Sequence, residues 1–221
     1  MRTALLLGAS GLIGGHCLDL LLRDDAYDQV IALVRKPLPM THPKLTQHSV
    51  DFDQLQEFAH LLKADDVFCC LGTTIKKAGS QEAFRKVDFT YAHEAAQLAA
   101  NNGATQFLLV SSLGADAKSP VFYNRIKGEI EAAVSLLNFT SVSIFRPSLL
   151  LGERSEFRLG ERLAEPVAKA LSFFLIGGLR KYRAIEAHTV AVAMIEIAKM
   201  KIEGVNVYES DRIQAIGEKG K

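Results

Sequence analysis

Residues 4–14 read Ala4-Leu5-Leu6-Leu7-Gly8-Ala9-Ser10-Gly11-Leu12-Ile13-Gly14, and the fold turns on this stretch. Ala4 to Leu7 is a short apolar run that ends at a glycine, the pattern of a fully buried strand. From Leu12 to Leu22 the apolar residues recur at helical spacing and stop at Arg23-Asp24-Asp25. The three glycines therefore join a buried strand to an amphipathic helix, the context a dinucleotide-binding turn requires. Each has a physical reason. Gly8 permits the tight turn, Gly11 lets backbone N–H groups approach a pyrophosphate, and Gly14 lets the helix pack closely on the strand. Ser10, Leu12 and Ile13 fill the turn and the first helical residues, where backbone donors and the helix dipole favour phosphate. The spacing is GxxGxxG rather than GxGxxG, so its force comes from its setting.

Outward from this turn, strands are expected at Val30–Val34, Thr46–Val50, Val67–Leu71, Phe107–Val110 and Ser141–Phe145. Helices are expected from Asp53, as N-cap, to about Leu62, from about Ser80 to Asn101, and over Val121–Leu137. Alternation of this kind gives an α/β fold: a Rossmann-like doubly wound parallel sheet with helices on both faces. After Pro147 the rhythm changes. His188–Met200 reads as an amphipathic helix and Val205–Tyr208 as a last edge strand, and about 149–187 reads as a substrate-pocket or lid segment. No internal repeat or linker divides the chain, so residues 1–221 are expected to form one domain.

Composition narrows the function. The 221 residues carry 26 Lys plus Arg against 25 Asp plus Glu, a balance that argues against a dedicated nucleic-acid surface. Cys17, Cys69 and Cys70 show no CxxC spacing, and neighbouring Cys69 and Cys70 would point to opposite faces of a strand. A disulfide framework is not expected, which fits a reducing, cytoplasmic setting. No metal-ligand spacing is found. The N-terminal apolar run is too short for a signal peptide, and Ala168–Leu179, interrupted by Lys169, is too short to cross a bilayer. It reads as a buried helix or pocket lid.

The second strand ends Val34-Arg35-Lys36, where an NAD-preferring site carries an acid for the ribose 2′-hydroxyl. Two cations there predict NADP(H), with Arg35 able to grip a 2′-phosphate in two-pronged fashion and stack on adenine. Asp51-Phe52 follows the third strand; Asp51 is read either as an acceptor for the adenine amino group or as an ordinary helix-start residue. Leu71-Gly72-Thr73 follows the fourth strand and would run beside the nicotinamide-side ribose. Ser111-Ser112 ends the fifth strand. Tyr123 and Lys127, four apart, share one helix face. Lys127 would favour the phenolate form of Tyr123 and donate to ribose hydroxyls, and Tyr123 would exchange a proton with the substrate. Ser112 is favoured as the hydroxyl that polarises a carbonyl, with Ser111 as the alternative.

Other residues have blander readings. His16 is packing or surface. Arg154, Arg158 and Arg162 form a solvated stripe or receive an acidic substrate group. Phe173-Phe174 is core, pocket wall or a dimer contact.

The strings GASGLIGG at Gly8, VDFDQL at Val50, CCLGTT at Cys69, KAGS at Lys77, VSSLGAD at Val110, YNRIKGEIEA at Tyr123, FRPSLLLGER at Phe145 and the terminal IQAIGE resemble the short-chain dehydrogenase/reductase superfamily in its atypical branch. Within it they resemble the Tat-interacting-protein oxidoreductase family. The resemblance implies a Rossmann fold, NADP(H) binding and a Ser–Tyr–Lys arrangement. It places Gly8, Gly11, Gly14, Arg35, Asp51, Leu71, Gly72, Thr73, Tyr123, Lys127 and Pro147 near the cofactor, with Arg146-Pro147-Ser148 passing the nicotinamide. It implies an oxidoreductase acting on a small or medium carbonyl or alcohol. An NADPH-binding sensor without turnover is the alternative. A sugar-nucleotide epimerase ranks last, because only about seventy residues follow Pro147. A homodimer through the Ser80–Asn101 and Val121–Leu137 helices is an expectation by analogy.

Overall fold

The computed structural model describes residues 2–152 and 177–220. Seven strands form one sheet: β1 (Thr3–Leu7), β2 (Gln29–Val34), β3 (Leu45–Ser49), β4 (Asp66–Cys69), β5 (Gln106–Val110), β6 (Ser141–Arg146) and β9 (Gly204–Glu209). Their spatial order is β3-β2-β1-β4-β5-β6-β9, and every pairing is parallel. The order reverses beside β1, so a crevice opens between the carboxyl ends of β1 and β4, where open α/β sheets take ligands. A small second sheet pairs β7 (Leu150–Leu151) with β8 (Ile185–Glu186).

Helices cover both faces, so the strands read as apolar runs. Leu5 and Leu7 enter one hydrophobic cluster, while Ala4 and Leu6 enter the other. Each fully buried Leu contributes on the order of 1.5–3 kcal/mol. One face is packed by α1 (Leu12–Arg23), α6 (Ala187–Met200) and α7 (Ser210–Lys219). The other carries a 3₁₀ helix (Phe52–Leu61), α4 (Tyr91–Asn101) and α5 (Phe122–Val134). At the amino ends of the strands, buried Asp66 accepts from Tyr27 Oη at 2.7 Å and Gln106 Nε2 at 2.7 Å, and pairs with Arg2. Charge burial at that end is thus fully hydrogen-bonded, and the opposite end is left for chemistry.

Three sequence expectations need correction. The segment after β3 is a 3₁₀ helix rather than an α-helix, and its cap is Asp51, whose carboxylate accepts from Asp53 N at 2.9 Å. Gln54 lies off helical geometry there, which interrupts the regular ladder. The Ser80–Asn101 helix is not uniform: Ser80 caps α3 (Gln81–Arg85), a π-helical turn follows over Lys86–Thr90, and α4 completes it. A short α2 (Ile75–Ala78) precedes it. The third is α7, which the sequence reading lacked altogether. The edge position of β9 and the helix over Ala187–Met200 agree with expectation.

Candidate functional site

The glycine turn is built as its sequence demands. Gly8 has φ +83°, and a Cβ there would stand 2.6 Å from the Cys70 carbonyl oxygen. A Cβ at Gly14 would stand 2.1 Å from the Gly8 carbonyl oxygen. Gly11 N donates to Gly8 O at 2.9 Å, which closes the turn and starts α1 at an uncapped N-terminus with no acid in its first turn. Ser10 and Gly11 are exposed there. Backbone donors with no side chain over them are the arrangement that receives a pyrophosphate. The side chain of Ile13 is buried in the core, so Ile13 can offer a ligand only its N–H; Leu12 packs partly against the same cluster.

Arg35 and Lys36 project exposed from the carboxyl end of β2. Asp51 is occupied in part by its capping bond, which realises the helix-start reading. Phe52 is 5% exposed and packs against Tyr91 at 5.4 Å between ring centres. The Phe52 side chain therefore belongs to the core and not to an open ligand surface.

Beyond β4, Leu71, Gly72 and Thr73 run over a buried ion pair. Lys127 Nζ lies 2.8 Å from Asp88 Oδ1, with side chains 6% and 0% exposed. Asp88 Oδ2 accepts from Thr73 N at 2.9 Å. Burial on its own pulls the Lys127 ammonium down, but the charge of Asp88, then of Tyr123, outweighs it and holds Lys127 above the ordinary lysine value. The sequence reading missed Asp88. It sits on the π-helical turn, a distortion that recurs at functional sites, and the only sequence signal was a lone acid on the apolar side of a helix. Asp88 adds a partner the sequence reading did not give Lys127, which stands as one half of a buried ion pair and not as a bare cation.

A cavity of about 550 Å³ opens at the carboxyl ends of β5, β6 and β9. Ser112, Tyr123, Arg146, Pro147 and Ser148 line it, with Lys181, Tyr182 and Glu209 toward its mouth. Ser112 Oγ is buried without a hydrogen-bond partner among the described residues, whereas Ser111 Oγ donates to Glu131, itself 5% exposed. Of the two serines, Ser112 is the one with a hydroxyl left for a ligand. Tyr123 is half-buried, its ring 5.5 Å from Phe84. Arg146 Nε donates to Glu131 Oε1 at 3.0 Å, so its guanidinium is engaged and a cofactor contact falls to the backbone. Ser148 Oγ donates to Arg183 O and accepts from Ser210 Oγ at 3.0 Å. Glu131 was also missed; it continues the Tyr123, Lys127 spacing by one more turn. At the mouth, Lys181 Nζ pairs with Glu209 at 3.0 Å. Arg154, Arg158, Arg162, Phe173, Phe174 and most of the Ala168–Leu179 run lie outside the described residues. No cluster of metal-ligating side chains, and no helix long and apolar enough to cross a membrane, occurs among the described residues.

Comparison with known proteins agrees with this geometry. The NAD(P)H-binding family matches residues 8–135. Protein HTATIP2 of Rattus norvegicus is 41% identical over 167 residues, 74% of this chain and 69% of the relative. Protein FMP52, mitochondrial, of Candida albicans is 31% identical over 218 residues, 96% of this chain and 93% of the relative. Among solved structures, MoeE5 in complex with UDP-glucuronic acid and NAD superposes with a TM-score of 0.70 at 18% identity, covering 94% of this chain and 75% of that one. A UDP-N-acetylglucosamine 4-epimerase from Methanobrevibacter ruminantium M1 does so with 0.70 at 17%, covering 94% and 76%. These similarities of fold carry no substrate across. The cytoplasmic expectation is overturned by the fungal relatives, several of which are named mitochondrial. Its premise was weak, since the lack of a disulfide framework does not distinguish one reducing compartment from another. By sequence the chain belongs to the NAD(P)H-binding family and, within it, to the family of HTATIP2, and its fold is that of the Rossmann proteins.

Proposed function

We propose that this chain is an NADP(H)-dependent oxidoreductase acting on a small or medium carbonyl or alcohol, with residues 1–221 working as one domain. The observation that carries the reading is the cavity lined by both Ser112 and Tyr123, where Ser112 Oγ has no hydrogen-bond partner among the described residues and Lys127 is buried one helical turn on. Gly8, Ser10, Gly11, Leu12, Ile13 and Gly14 would hold the pyrophosphate through backbone, and Arg35 and Lys36 the 2′-phosphate. Asp51 and Phe52 would flank the adenine, through backbone at Phe52. Leu71, Gly72, Thr73 and Lys127 would meet the nicotinamide-side ribose, and the backbone of Arg146, Pro147 and Ser148 the nicotinamide edge. When bound, the cofactor supplies or accepts the hydride. Ser112 donates to the substrate oxygen, Tyr123 gives or takes its proton, and Lys127, held by Asp88, orients the ribose. Leu149, Lys181 and Tyr182 extend this cavity, which supports a substrate-covering role for the segment around 149–187.

The test is NADPH oxidation across a panel of carbonyl compounds. Loss of one positioned proton donor in Tyr123→Phe is expected to lower turnover on the order of 10²–10⁴-fold while leaving NADPH affinity close to wild type. If NADPH binds tightly and no carbonyl in the panel is reduced, the chain is a nucleotide-binding protein without turnover. Nucleotide choice has its own test. Arg35→Asp removes a charge-assisted contact to the 2′-phosphate and adds repulsion, so NADP(H) affinity is expected to fall roughly 10–100-fold relative to NAD(H). Equal titration curves for the two nucleotides with wild type would remove this role from Arg35.

A further inference from the structure

Two sulfurs lie directly beneath the glycine turn. Cys17, on α1 three residues past Gly14, is fully buried. Cys70 follows β4 and is half-buried. Their Sγ atoms are 3.9 Å apart, and a third sulfur, Met194 Sδ, stands 3.9 Å beyond Cys17. Cys69 belongs to the cluster on the opposite face of the sheet, so it is turned away from both. A thioether forms no disulfide, which leaves Cys17 and Cys70 as each other's only thiol partner. No disulfide joins any of the three cysteines.

We propose that Cys17 and Cys70 are the site of a reversible disulfide that weakens dinucleotide binding; this rests on the reading of the glycine turn as the cofactor's seat. The bond needs the sulfurs to close from contact to about 2.05 Å, and the room for this is asymmetric. The Cys70 carbonyl is already packed against Gly8, where even one added carbon would stand at 2.6 Å. Drawing Cys70 toward α1 therefore displaces the turn on one side or Leu71-Gly72-Thr73 on the other. Those two segments wall the crevice between β1 and β4. An oxidised chain thus offers the nucleotide a distorted cradle, and a bound nucleotide resists oxidation of the pair.

The co-reactant is a hydroperoxide. The Cys70 thiolate attacks its outer oxygen, the O–O bond breaks, and an alcohol or water leaves, giving a sulfenic acid on Cys70. Cys17 sulfur attacks that sulfur, the S–S bond forms, and water leaves with the thiol proton. Two thiols lose two electrons and two protons, and one hydroperoxide is reduced. The hydrogen bond from Cys70 to Cys17, and then burial, hold the Cys70 thiol well above the ordinary thiol range. Oxidation is accordingly slow at neutral pH and quickens as pH rises, the behaviour of a pair that answers sustained oxidation.

The full chain, treated with hydrogen peroxide at mildly alkaline pH, should lose two hydrogens by intact mass and yield a Cys17–Cys70 cross-linked peptide. NADPH affinity, read by fluorescence titration, should fall at least about tenfold and return with dithiothreitol. Cys70→Ala and Cys17→Ala should bind NADPH as wild type does and stay insensitive to peroxide. Sulfinic acids without a cross-link, a Cys69–Cys70 link, or a mapped Cys17–Cys70 link with unchanged affinity would each overturn the proposal. Failure of the reduced chain to bind NADPH is a different result, and it removes the cofactor reading itself.

Discussion

Replacing Gly14 by alanine is expected to unsettle the whole amino-terminal half of the fold and to abolish nucleotide binding. The added methyl would sit 2.1 Å from the Gly8 carbonyl oxygen and 2.7 Å from its carbon, so main chain must retreat from main chain. No side-chain rotation relieves this contact. Overpacking of a rigid site costs roughly 1–3 kcal/mol and sometimes more, and here the upper part of that range is expected because both partners are backbone. The next residue is the control. A Cβ at Gly15 would come no closer than 3.7 Å to Ala9 O, an ordinary contact, and alanine is the better helix former by about 1 kcal/mol. Gly15→Ala should therefore equal or exceed wild-type stability in urea denaturation, while Gly14→Ala falls below it. Equal losses at both positions would show that close packing at Gly14 is not what fixes the turn.

Removing Asp88 should be nearly as damaging, by a different route. Lys127 Nζ has its counter-charge 2.8 Å away in a site that water hardly reaches. Asp88→Ala leaves that ammonium buried and unpaired and also deprives Thr73 N of its acceptor. Breaking one half of a buried pair typically costs about 3–5 kcal/mol, much of it the penalty for the charge left behind. Lys127→Met placed on Asp88→Ala should recover part of the loss, and a double-mutant cycle in urea measures how much. The pH dependence has a definite sign. Lys127 holds its proton more tightly folded than unfolded, against an ordinary value of 10.5. Its contribution is fully present below that value and disappears as pH rises through the higher folded one. Wild type should lose stability in that alkaline window more steeply than the Asp88→Ala, Lys127→Met double variant. Parallel curves would mean the pair does not carry the coupling its geometry implies.

The features legible in the sequence are those whose cause is local. A strand–turn–helix with glycines at 8, 11 and 14 leaves little freedom, because each glycine answers a contact made within a few residues or with the adjoining strand. The parallel sheet was legible because strands buried on both faces read as apolar runs. The features that were not legible depend on partners far along the chain. Asp88 acquires its meaning from Lys127 and Thr73, and nothing in Lys86-Val87-Asp88-Phe89 announces a π-helical turn. Glu131 lies at helical spacing from Lys127, but its role comes from Ser111 and Arg146, which strands β5 and β6 bring to it. The carboxyl-terminal helix has few apolar residues to set a period. It is held by close approach to α6, where a Cβ at Gly217 would meet Thr189 O at 2.3 Å. Asp51 shows the limit of pattern reading at a boundary: the cap lies two residues before the expected one, where the Asp51 carboxylate accepts from Asp53 N.

The central claim is that main-chain amides at the first turn receive the cofactor's pyrophosphate, and amide NMR addresses it residue by residue. On titration of the isotope-labelled chain with NADPH, the Ser10, Gly11, Leu12 and Ile13 N–H resonances should move together and saturate with a single affinity. Fixed resonances for these four residues while the nucleotide binds elsewhere, or in its excess while the chain stays folded, would contradict the account.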